Sequence, residues 1–185
     1  MKLENIEELL VAVVGGYGND PNLVTPETPW SRTLSERERK LVAVLADVLL
    51  PGTTEYPAPS AMGIVDFFDD WVSAPYKTQK ADGVIILDGL KNVDEEARRR
   101  FGTGFAEIDD GQRRAIIDDL VAAPAGSAQR KFFTKFRGRL FGGYFTSDLG
   151  LKAIGYHGNV PLRGFPEVTP EVRRMIDNEL AKLGL

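Results

Sequence analysis

The chain has 185 residues, 43% of them apolar and 27% charged, with a formal net charge of −4. That suits one domain with a real core and disfavours a general nucleic-acid binder, which needs a broad basic surface. Cysteine is absent, which removes a disulfide framework, a thiolate metal site and a cysteine nucleophile. No apolar run approaches the ~18 residues needed to span a bilayer.

Residues 3–14 read as a short helix with Leu3, Ile6, Leu10 and Val13/Val14 on one side, stopped by Gly15-Gly16. Glutamates interrupt this apolar stretch and no twin arginine occurs, so the first 30 residues as given carry no export signal. Residues 15–32 are rich in Gly, Pro and Asn and read as an extended connector, anchored on the body by Trp30.

Thr33-Leu34-Ser35-Glu36 matches a capping box, and Leu34, Leu41, Val42, Leu45, Val48 and Leu49 then follow at helical spacing. The spacing predicts a helix over 34–50, ended by Pro51-Gly52 and followed by a stiff proline-rich loop over 51–60. Ser60 is expected to cap a helix over 61–73 with Ile64, Phe67, Phe68 and Trp71 apolar. A long helix is predicted over 77–101, where Ile86, Leu90, Val93, Ala97 and Phe101 repeat as the seam of an antiparallel pair.

Asp109 with Gln112 marks the start of another helix, with Ile116, Ile117, Leu120 and Val121 apolar and Pro124 and Gly126 closing it. A helix over 127–141 carries Phe132, Phe133, Phe136, Leu140 and Phe141. The run 142–161 holds five glycines, three aromatic rings and the only histidine, with no helix or strand period. It reads as a shaped, ordered loop, because interleaved rings gain free energy by burial. Thr169-Pro170-Glu171 starts a last helix, with Val172, Met175, Ile176, Leu180 and Leu183 on one face. Nothing alternates over a strand length. The expectation is an all-α fold: an N-terminal helix and connector over 1–32, then one helical domain over 33–185, six or seven helices with long Pro/Gly-rich loops.

Chemistry is harder to find. Gly15-Gly16-Tyr17-Gly18 and Gly102-Thr103-Gly104 follow no strand and match neither dinucleotide nor phosphate-loop motifs, so helix ends explain them. Asp66, Asp69 and Asp70 share a helix face; a cation with further ligands would suit them, but a solvated acidic face suits them better. A single histidine cannot build a multi-histidine zinc site. His157 with Ser147 and Asp148 formally offers a triad, without a nucleophile elbow, and a structural or interface role fits His157 better. The 127–141 helix carries Arg130, Lys131, Lys135, Arg137 and Arg139 and no acid; these cations are expected to meet solvent, acids of this chain or an acidic patch on a partner.

The run Gly143-Tyr144-Phe145-Thr146-Ser147, Gly150-Leu151-Lys152, Ile154-Gly155-Tyr156 and Gly158-Asn159-Val160-Pro161 resembles the C-terminal signature of the gluconate 2-dehydrogenase subunit 3 family. Leu41–Pro51, the loop after it, Gly63–Asp69 and Phe101–Phe105 are similar to the family's earlier part, so the resemblance covers roughly residues 33–165. It implies a small subunit that is not itself catalytic. Such a subunit binds a large glucose-methanol-choline-type catalytic subunit that carries FAD, and supports its maturation, stability and often export to the periplasm. A cytochrome c subunit completes some complexes. The resemblance puts no cofactor and no metal in this chain.

On that reading Tyr144, Phe145, Thr146, Ile154, Tyr156, His157 and Asn159 are the partner contacts or the residues that shape the loop, with a core role for Tyr144 and Tyr156 as the alternative. Two competing functions stay open at this point: a general helical chaperone or interaction module, and a free-standing hydrolase using His157.

Overall fold

The computed structural model describes residues 30–158, 164 and 167–184. The helix expected at 3–14 and the connector up to residue 29 lie outside the described residues. Among the described residues the fold is all-α, with seven α-helices, one 3₁₀ turn and no strand. Two compact units follow each other along the chain, one ending at Ile154 and one beginning at Gly155.

In the first unit, α1 spans Glu36–Leu49. Its cap is not the expected one. Ser35 is the N-cap, accepting from the Glu38 N–H while the Glu38 carboxylate takes the Ser35 N–H at 2.8 Å. Thr33 and Leu34 are already claimed by a distant group: both backbone N–H groups donate to Asp69 at 3.0 Å, and the Thr33 hydroxyl lies 2.8 Å from that of Ser73. The helix therefore starts two residues later than the Thr33 motif indicates.

The next junction also departs from expectation. Ser60 caps nothing; its N–H and hydroxyl go to Asp47 at 2.9 and 2.6 Å. It sits in the 3₁₀ turn Pro59–Met62, and Gly63, at φ +73°, turns the chain into α2, Ile64–Ser73. A left-handed residue at that corner favours glycine.

The long helix α3 covers Lys77–Phe101 as predicted. At ~1.5 Å per residue it runs about 37 Å. Its seam residues Ile86, Leu90, Val93 and Ala97 are buried, and α1, α2 and the two helices that come next in the chain all pack against it. Helix α4, Asp110–Ala122, has the expected Asp109–Gln112 box, and buries Ile116, Ile117 and Leu120 while leaving Val121 exposed. Helix α5 runs from Ala128 to Phe145, four residues past its predicted end, and buries Phe132, Phe133, Phe136, Leu140 and Tyr144. Phe136 stacks on Phe68 of α2 with ring centres 4.6 Å apart. Burying each such ring contributes roughly 1.5–3 kcal/mol, and this aromatic layer is the centre of the core. The short helix α6, Asp148–Ala153, completes the unit. Trp30 meets Tyr76 edge-on at 5.6 Å, which anchors the end of the connector as expected.

The second unit contains α7, Pro170–Lys182, capped by Thr169 with proline at the first helical position, as the sequence indicates. It buries none of its residues: Val172, Met175, Ile176, Leu180 and Leu183 all remain exposed on the apolar side.

Candidate functional site

The loop expected from Gly142 onward is mostly helix as far as Ala153. Its first four residues are the last turn of α5, and six more form α6. Glycines hide this from a periodicity reading because they add no apolar signal of their own. The Thr146 hydroxyl donates to the Gly142 carbonyl at 2.7 Å and ends α5. The Ser147 hydroxyl donates to the Tyr144 carbonyl at 2.7 Å and accepts the Gly150 N–H at 3.1 Å, so it caps α6. A Cβ on Gly150 would stand 1.9 Å from the Tyr144 carbonyl oxygen, and one on Gly143 would stand 2.8 Å from the Phe67 ring. Both glycines are there because another part of the chain lies where a side chain would be.

The seven candidate residues fall in different places. Tyr144 is 4% exposed and its hydroxyl donates to the Pro57 carbonyl at 2.8 Å, so its ring belongs to the body's own core and ties α5 to the proline loop. Phe145 is half-buried, packing edge-on against Tyr144 and Phe141 at 5.1 and 5.9 Å. Thr146 and Ile154 are exposed, at the ends of α5 and α6. The structure thus brings Tyr144, Phe145 and Thr146 together at the C-terminal end of α5. Tyr156 and His157 belong to the second unit and are exposed, flanked by Gly155 and Gly158 with positive φ. Asn159 lies outside the described residues.

The acidic cluster is resolved differently from expectation. Of Asp66, Asp69 and Asp70, Asp69 is not on a solvated face: it is 1% exposed. It accepts from the Thr33 and Leu34 N–H groups, the Ser73 hydroxyl and Arg39 at 2.7 Å, while Arg39 also holds Asp66 at 2.6 Å. Burial works to raise the Asp69 carboxyl, but these donors hold it below the ordinary carboxylate range.

Two further buried aspartates repeat the arrangement, and sequence reasoning missed both. Asp82 on α3 receives Lys135 at 2.8 Å, Arg139 at 2.9 Å and the Trp71 indole N–H at 3.1 Å. Asp94 receives Arg37, Arg98 and the Phe105 N–H. In both, burial pushes the carboxyl up and the bound cations and N–H groups hold it low overall. Each fastens helices from different parts of the chain. The only sequence signal was an acid at a seam-facing register of a long helix. Among the described residues no three His, Cys, Asp or Glu side chains gather as a metal site.

The cations of α5 divide accordingly. Lys135 and Arg139 are spent on Asp82, and Arg139 lies 3.8 Å over the Trp71 ring. Arg130 and Arg137 instead sit over the Phe133 ring at 6.0 and 5.4 Å, with no carboxylate partner among the described residues. Phe141 lies on the same outward side and is 39% exposed. Ending the helix at 141 concealed that Phe141 and Phe145 share one turn.

What this arrangement offers is a surface: the exposed Phe141, the half-buried Phe145 and cations on a helix backed by a buried core. A family model described as Gluconate 2-dehydrogenase subunit 3 matches residues 36–164 of the chain. Comparison with curated proteins and with solved structures gave no match.

Proposed function

The chain belongs to the gluconate 2-dehydrogenase subunit 3 family, and from that premise we propose that it is the non-catalytic small subunit of an FAD-dependent sugar dehydrogenase. It binds a glucose-methanol-choline-type catalytic subunit, stabilises it and assists its maturation. The flavin belongs to that partner. The observation that carries the reading is the family match across the helical body and the signature after it. The structure supports it in two ways. Buried carboxylates in the body are committed to internal ion pairs, and Ser147, the serine nearest His157 in sequence, is a helix cap. What is left exposed are rings, arginines and aliphatic rows, the groups that protein interfaces use.

The test is co-expression with the flavoprotein dehydrogenase encoded nearest to this chain. With the small subunit present, the flavoprotein is expected to be soluble, FAD-loaded and able to oxidise sugar. A flavoprotein equally loaded and active without it would end the reading.

A further inference from the structure

Helix α5 has three sides. Phe132, Phe133, Phe136, Leu140 and Tyr144 face the core, and Lys135 and Arg139 are clasped by Asp82. The third side faces outward. At ~100° per residue, Arg130, Arg137, Phe141 and Phe145 fall within about 80° of one another around the axis. The T-shaped pair Phe141–Phe145 forms one end, and the arginines over Phe133 form the other. No acid lies on this helix, and no carboxylate of the described residues pairs with Arg130 or Arg137, although the chain as a whole is acidic.

Beside this row lie Gly138 and Gly142, both exposed and both inside the helix. Unlike Gly143 and Gly150, neither has any atom within 4 Å of where a Cβ would stand. Glycine inside an exposed helix is unfavourable relative to alanine. Nothing within the described chain compensates for that.

We propose that this outward side of α5 is the seat of the catalytic subunit, which places carboxylates against Arg130 and Arg137 and an apolar group against Phe141 and Phe145. The partner backbone closes over Gly138 and Gly142. The charge decides the occupant: two guanidinium groups without a carboxylate partner, Arg130 held only by the Val121 carbonyl, stand beside the exposed Phe141 and the half-buried Phe145 and complement an acidic surface, not a second copy of the same basic helix. This inference rests on the accessory-subunit reading and adds to it a specific face and the chemistry of the partner.

Wild-type chain and two variants are titrated against the purified flavoprotein at low and high salt. The variants are R130E/R137E and G138L/G142L, and the melting temperature of each free chain is recorded. Wild-type affinity is expected to fall as salt rises. R130E/R137E is expected to lose at least tenfold in affinity and most of that salt dependence. G138L/G142L is expected to lose at least tenfold while the free chain melts at the wild-type temperature or above, because leucine favours a helix more than glycine does. If wild type binds and both variants bind within threefold of it, the face is not the seat, and the accessory-subunit reading stands. If wild type does not bind and the flavoprotein matures alone, both fall.

Discussion

Helices α4 and α7 are both 13 residues long, both capped by a side chain at the N-terminus, and both carry an apolar side. Yet α4 buries Ile116, Ile117 and Leu120, while α7 buries nothing. The local pattern does not account for the difference, since the apolar side is the more sharply segregated in α7. It lies in what the rest of the chain supplies. Helix α4 joins a core shared with α1, α3 and α5, whereas α7 belongs to a separate unit of its own. A helix of this length is marginal in water without such cover. Amphipathic spacing therefore reports that a face wants covering and leaves open what covers it.

The contrast predicts unequal responses to the same kind of change. Ile116→Ala is expected to destabilise the body by about 2–5 kcal/mol, read from urea unfolding, because it opens a cavity in a packed core. Acid acts next, and on the body. Asp69, Asp82 and Asp94 have folded pKa values below their ordinary ones, so the unfolded chain binds more protons than the folded one once the pH nears the unfolded value of ~3.9. Stability is fully present above roughly pH 5 and declines as the pH falls through 4 toward the folded values. A thermal-melt series from pH 7 to pH 3 measures this, and a flat profile would mean that the three buried pairs do not stabilise the fold. Tyr144→Phe removes one hydrogen bond to Pro57 while keeping the ring, with an expected loss of about 0.5–1.5 kcal/mol in the same urea assay. Ile176→Ala in α7 is expected to change the stability of the isolated chain by less than about 0.5 kcal/mol, since its side chain is not in a core. A large effect there would erase the contrast with α4.

Features set by neighbours in sequence were legible from the sequence. The α3 seam, the Asp109–Gln112 box and the Thr169-Pro170 start depend on groups three or four residues apart, and the structure has all of them. Features set by distant groups were not. The Thr33 motif is sound as a local pattern but loses to Asp69, which takes the N–H groups of Thr33 and Leu34. Ser60 loses its cap role to Asp47 in the same way. The glycine-aromatic signature was recognisable as ordered. Its helices were not, because Gly143 and Gly150 answer to Phe67 and to the Tyr144 carbonyl rather than to a period. Of the candidate site, the sequence gives the ring-rich segment, and only the fold sorts Tyr144 inside from Ile154 outside.

The bond between the Tyr144 hydroxyl and the Pro57 carbonyl also sets a clock. The two residues are 87 positions apart. During synthesis at ~5–20 residues per second, Pro57 waits about 4–17 s for Tyr144 to be made. For most of that wait the Phe68–Phe136 stack is also incomplete, since its α5 half is made only near the end of it. The nascent body thus spends seconds with its aromatic layer half built, an interval in which α1 to α3 must depend on their own contacts or on a chaperone at the ribosome.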